Sequence, residues 1–197
     1  MSDVVISSYI LTISSLVQRI KSVQHSSNGT TTRLLVSRPS TPGLTPIQTT
    51  GTETGKLQEM MEKENLESSL SKDEAATTAR VKDKMGSCSW VHFAYHGARD
   101  VEPLKSELHV HDGRLELLEM VKQRIEYADH AFLSAGQTGK GDKKLADGVV
   151  HLAAGMSAAG YHGVIGTMWC ISDKHGPEIT EGFYQHMLDA PLEGAAT

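Results

Sequence analysis

A histidine followed by glycine at the end of an apolar run can do chemistry, and His96-Gly97 closes the stretch Cys88–Tyr95 (CSWVHFAY). An imidazole placed there can serve as a general base while the next backbone N–H approaches a substrate carbonyl. A second candidate is the glycine-rich segment 133–144, LSAGQTGKGDKK, which comes after another strand-like run. A phosphate-binding loop would need four residues between its first Gly and a Gly-Lys pair, then Ser or Thr. Here two residues separate Gly136 from Gly139, and Gly141 stands where the hydroxyl belongs, which argues against a nucleotide site. The third is Trp169-Cys170-Ile171-Ser172-Asp173. Asp173 at a strand end could select a basic side chain, or could cap the helix that runs on through Pro177. His109-x-His111-Asp112 offers possible metal ligands, and His92 and His96 share a strand face. With no Cys or Glu to complete a tetrahedral set, no metal or other cofactor is expected.

These residues need elements to hold them. Residues 24–56 are rich in Ser, Thr, Gly and Pro and read as loop around one short strand, RLLVSR. Ser71-Lys72-Asp73-Glu74 reads as a capping box opening a helix to about Met85. Cys88–Tyr95, His130–Ser134 and Gly163–Trp169 are continuous apolar runs suited to strands covered on both faces. Between and after them, helical spacing appears in Leu115–Ile125 through Leu118, Val121 and Ile125. It recurs in Leu145–Gly160 through Leu145, Val149, Leu152, Met156 and Ala159, and in Pro177–Leu188. Strands alternating with helices imply crossover connections and a mainly parallel sheet. In such sheets chemistry gathers beyond the carboxyl ends of the strands. The ends at Gly97, Gly136 and Trp169–Asp173 are therefore expected at one rim.

Composition sets outer bounds. The chain has 197 residues, 24 acidic against 19 basic, a formal charge of −5, 39% hydrophobic residues and two cysteines. That suits a single α/β domain with a real core. The lack of a Lys/Arg stripe argues against nucleic acid as a partner. Two cysteines make no disulfide framework, so a reducing, cytoplasmic setting is expected. No run approaches a membrane span. The opening MSDVVISSYILTISSLV carries Asp3 and interrupting Ser/Thr, unlike a signal peptide.

Long collinear blocks of the chain resemble the CHAT domain, the caspase-like peptidase domain often found beside tetratricopeptide repeats, in its fungal form. WVHFAYHG is similar to that family's WVHFACHG, and LHVHDGRLELLEMVKQRI to its LVLHDGRLELLEIMKQRI. LADGVVHLAAGMSAAGYHGVIGTMWCISDKHGPEI resembles the family's next helix, strand and loop, and the N-terminal VISSY fits the segment ISSYTPTLSAL. The resemblance implies a caspase-like three-layer fold, a mainly parallel sheet flanked by helices. It also implies a dyad of His at one strand end and Cys at the next. The His matches His96. The Cys belongs to a stretch LSACQT that here reads Leu133-Ser134-Ala135-Gly136-Gln137-Thr138, so Gly136 holds the nucleophile position. Ser134 falls where such enzymes build the pocket for the residue before the cut. Tyr95 replaces the Cys that usually precedes the His. Since the chain starts at the ISSY segment and ends soon after the last helix, the resemblance implies a single partial, truncated domain over residues 1–197, with a sheet edge expected to be open to association.

Glycine cannot attack a carbonyl. Cys170 lies in an apolar strand, where small cysteines behave as inert hydrophobes, and Cys88 is at the opposite end of its strand. The expectation is a non-catalytic module that binds a peptide or protein through His96, the Gly97 backbone, Ser134 and Asp173. The rivals are an active caspase-like cysteine endopeptidase with a His/Cys dyad, for instance through Cys170, and a decayed copy of poor stability.

Overall fold

Side chains of consecutive residues in a strand point to opposite faces, so an unbroken apolar run requires cover on both. Leu34, Leu35 and Val36 are all buried within β1 (Arg33–Ser37), which is the situation their sequence demands. The computed structural model describes residues 32–37, 49–95, 97–98, 107–123, 125, 128–135, 145–166 and 175–189. Packing divides the chain into Met1–Thr30 and Thr31–Thr197, and the described residues all belong to the second unit.

After β1 come α1 (Thr49–Lys63), β2 (Ser68–Lys72), a short 3-10 turn (Asp73–Ala75) and α2 (Thr78–Ser87). Next are β3 (Trp90–Tyr95), β4 (Gly97–Ala98), β5 (Glu107–Val110), β6 (Gly113–Glu116) and α3 (Leu117–Gln123). The remainder is β7 (His130–Ala135), α4 (Leu145–Ala159), β8 (Gly163–Gly166) and α5 (Gly176–Asp189). Strands β2-β1-β3-β7-β8 pair in that order, every pair parallel, and β4-β5-β6 form a small antiparallel sheet.

Alternation along the strands sorts residues into two cores. On one face, Leu34, Val36, Val91, Phe93, Ala131 and Leu133 pack with Val81 and Met85 of α2, Met120 of α3 and Leu152, Met156 and Ala159 of α4. On the other, Leu35, Trp90 and Phe132 meet Leu57 and Met61 of α1 and Tyr184 of α5. This is the three-layer, caspase-like α/β architecture expected from the strand-helix alternation. No described helix is long and apolar enough to cross a membrane.

Three local expectations are corrected. Ser71 does not open a helix. It is fully buried in β2, a strand hidden among serines (SSLSK), and α2 starts later. Its cap is Thr77, whose Oγ1 accepts the Arg80 N–H at 3.3 Å. Asp112 reinforces that end from the β5–β6 turn, accepting the Thr78 N–H at 2.7 Å, so it anchors a helix instead of offering itself to a metal. Loop composition also ends sooner than expected: α1 begins at Thr49, despite its threonines and glycines, because Leu57 and Met61 dock it on the sheet. Finally, Leu115 lies in β6, and the helix after it buries Leu117 and Met120 while Leu118 is 36% exposed. Strand β6 consumes the first residues of the apparent helical repeat and shifts its phase.

Glycine in α4 permits close approach of a neighbouring helix. A Cβ on Gly155 would lie 2.1 Å from Cδ1 and 2.3 Å from Cγ of Leu117. Gly160 ends the helix at φ 121°, a conformation other residues rarely adopt. Gly155→Ala should overpack the α3–α4 contact and cost about 1–3 kcal/mol. Thermal melting should show a lower Tm, by roughly 2–4 °C per kcal/mol for a chain of this size.

Candidate functional site at the carboxyl rim of the sheet

Because β3, β7 and β8 are adjacent and parallel, their carboxyl ends share one rim. The β3–β7 register runs from Trp90↔His130 to Tyr95↔Ala135, and β7–β8 pairing reaches Leu133↔Gly166. In sequence His96 comes directly after Tyr95, and Gly136 directly after Ala135. His96, Gly136, Cys170 and Asp173 themselves lie outside the described residues. Gly97 enters the small second sheet, paired with Leu108 of β5. Ser134, one residue before the end of β7, is described in full. It is 7% exposed and shares the α1/α5 face with Phe132.

Beneath Ser134 is a polar network that sequence reasoning did not anticipate. Glu53 of α1 is buried, 3% exposed, and sets its carboxylate between two side-chain partners. Oε1 lies 3.1 Å from His92 Nε2 and accepts a hydrogen bond from Thr180 Oγ1 at 2.7 Å. Ser134 lies on the same face, and its hydroxyl helps to hold that carboxyl down. On the far side of the imidazole, His92 Nδ1 is 3.3 Å from the Tyr184 hydroxyl. The His92 ring also stacks on Phe132, with centroids 4.9 Å apart. His92 is thereby committed to Glu53 and Tyr184, which answers the suggestion that it might ligate a metal with His96. A Cβ on Gly176 would lie 3.4 Å from Oε2, so the carboxylate also sits beside the first turn of α5, where the helix dipole favours negative charge.

Electrostatics reflect these partners. Burial pushes the Glu53 carboxyl up. The hydrogen bond and charge of His92, with the hydroxyls of Thr180 and Ser134, outweigh it and hold the group below its ordinary value. Burial pushes the Tyr184 phenol far up, so it keeps its proton. Cys88, the cysteine that is described, is 1% exposed, and burial raises its thiol, which suits a packing residue and not a nucleophile. A signal for Glu53 did exist. Thr50, Glu53, Thr54, Leu57 and Met61 keep helical spacing, and extending the apolar stripe backward from Leu57 would have placed Glu53 on the buried face.

At the opposite rim, Asp129 accepts the Trp90 indole N–H at 2.8 Å and pairs with His130 at 3.0 Å. Its partners outweigh burial and depress its carboxyl strongly. That cluster ties β3 to β7 at their amino ends.

The strand order, the shared rim and the polar floor under Ser134 now stand beside one comparison. The family model of the CHAT domain matches residues 3–196. The chain belongs to the CHAT domain family. Among curated proteins, no match is found. The match covers both sheets and all five described helices of this CHAT domain, so the caspase-like reading of the fold rests on nearly the whole chain.

Acid should expose the importance of the buried Glu53 carboxylate and of the half-exposed Asp129 carboxylate. Glu53 and Asp129 both titrate lower in the folded chain than when unfolded. Their contribution is complete above the ordinary carboxylate range near pH 4 and fades as pH falls through the folded-state values. Glu53→Gln should lower stability at neutral pH by about 2 kcal/mol, the scale of hydrogen bonds to a charged group. It should also flatten the acid limb of a stability-against-pH curve measured by urea unfolding.

Proposed function

We propose that this CHAT domain is a pseudopeptidase, a non-catalytic module that binds a peptide or an extended protein segment at the carboxyl rim. The observation that carries the reading is the β3–β7 register together with the residue next after each strand. Two neighbouring parallel strands paired up to Tyr95↔Ala135 continue, one residue on, into His96 and Gly136. A His/Cys dyad needs a thiol in the second of those positions, and glycine supplies no side chain. The surroundings that would serve binding are retained. Ser134 lies on the face that carries the buried Glu53 carboxylate, the rim is shared by three strands, and Gly97 is the immediate neighbour of His96. Gly97 and Asp173 complete the set of groups that would line the cleft. The partner is a peptide or protein, with neither nucleic acid nor membrane involved. The setting is the reducing interior of a cell, in keeping with Cys88 being a free, buried thiol.

Restoring the nucleophile tests this directly. The wild-type protein should resist labelling by a cysteine-reactive peptide probe, Cys170 included. Gly136→Cys should gain labelling, because the His96 imidazole can take the thiol proton and leave a thiolate. Adding His96→Ala should remove that gain. Tyr95 sits directly before the base, and a displacement of ~1 Å already costs about a hundredfold, so Gly136→Cys is best tested also with Tyr95→Cys. Labelling of wild-type Cys170 would favour an active endopeptidase. A folded Gly136→Cys, Tyr95→Cys protein that resists the probe would overturn the cleft reading.

A further inference from the structure

Glycine inside a helix weakens it, so its presence there calls for a reason. Gly155 of α4 has one, the close passage of Leu117. Gly55 of α1 and Gly182 of α5 have none among the described residues: a Cβ on either would meet nothing within 4 Å. These two helices share one face of the sheet and are fastened by the Lys56 amine, 2.7 Å from Glu181. Gly55 comes directly before Lys56 and Gly182 directly after Glu181, so both glycines flank that ion pair. One helical turn before Gly182 stands Ile179, a large apolar side chain left 46% exposed. The outer side of α1 and α5 thus offers an apolar knob next to a shallow recess.

A second observation comes from the opposite layer. Leu118 of α3 is the other large apolar side chain exposed among the described residues. Charge divides the two layers. Helix α5 exposes Glu178, Glu181 and Asp189 and contains no Lys or Arg, while on α1 Glu59 and Glu62 are balanced by Lys56 and Lys63. Helix α2 carries Arg80, Lys82 and Lys84 against Asp83 alone, and on α3 Lys122 balances Glu119. Lys82 bridges to Glu119, which joins α2 and α3 into one surface, and Lys122 lies on the Leu118 side of α3, four residues on. Two like faces brought together would set Glu178 against Glu178, or Arg80 against Arg80, and repel. Unlike faces match in charge, and each brings one exposed apolar side chain.

We propose that the outer face of α1 and α5 docks on the outer face of α2 and α3 of a second copy of this chain, with Leu118 of one copy entering the recess at Gly182, beside Ile179 of the other. The apolar contact supplies affinity at the centre, and the acidic and basic helices around it set the orientation. Because the two faces differ, each copy keeps one unused face of the complementary kind, so the contact repeats into short chains or a closed ring. This inference is independent of the peptide-cleft reading.

The test is sedimentation velocity of the full chain. Wild type should self-associate in about 50 mM NaCl, and the association should weaken at least about tenfold in about 500 mM NaCl, where charges are screened over a shorter distance. Ile179→Lys spoils the acidic face and Leu118→Glu the basic one. Both positions are exposed, so each variant should melt like wild type yet sediment as a monomer. Mixed in equal amounts, the two variants should form a dimer through their intact faces and assemble no further, which no pairing of like faces would give. Gly182→Gln puts a side chain into the recess. It should raise Tm by about 2 °C, as a better helix former in open space, and still weaken association at least about tenfold. A wild type that stays monomeric at low salt overturns the proposal. So does association that salt leaves unchanged, a mixture of the two variants that remains monomeric, or a Gly182→Gln protein that associates as wild type does.

Discussion

The pairing of β3 with β7 governs the rest of the molecule. Both strands are interior to the five-stranded sheet, so each residue between Trp90 and Tyr95 has its face fixed by the register with His130–Ala135. Side-chain alternation leaves no intermediate choice. A slip of one residue would send His92 and Ser134 into the apolar layer, and Phe93 and Leu133 to the side of Glu53. The same register brings the ends of the two strands level, which is the precondition for any chemistry or binding shared between the residues just beyond them.

The two faces are chemically unlike. The α2/α3/α4 side is closed by aliphatic packing, with Gly155 admitting Leu117 at close range. The α1/α5 side combines an aromatic cluster of Trp90, Phe132 and Tyr184 with a buried carboxylate. A carboxylate out of water is tolerated when its oxygens are filled by donors. Here the partners come from β3 and α5, so satisfying Glu53 also fixes the distances between those elements and α1. Polar satisfaction thus stiffens the sheet just short of its carboxyl rim, while Asp129 and Trp90 do comparable work at the amino rim.

This division separates what holds the caspase-like fold together from what is mounted at its rim. The packed faces and the Glu53 and Asp129 clusters sit within the sheet and its helices, whereas residue 136 comes after β7 has ended. A change of side chain there leaves the core contacts of Ala131, Leu133 and Phe132 in place. Family membership accordingly fixes the architecture, and activity depends on the residues mounted at its rim.

The sequence by itself determined the parallel α/β plan. Continuous apolar runs at Trp90–Tyr95 and His130–Ala135 admit few alternatives, and the stripe Leu152, Met156 and Ala159 set α4 against the sheet. It also determined that residue 136 bears no nucleophile, because that is a matter of covalent identity. Strand β2 escaped notice because SSLSK carries one apolar residue, and its burial comes from pairing with β1 and not from its own hydrophobicity. The front of α1 escaped because threonine and glycine signal loops locally, a preference that docking of Leu57 and Met61 overrides. The floor beneath Ser134 belonged wholly to tertiary structure. Glu53, His92 and Thr180 span 127 positions of chain between the first and the last, and no local pattern says that His92 and Thr180 share the Glu53 carboxylate. Only folding, by removing water from Glu53 and leaving it those donors, decided that they meet.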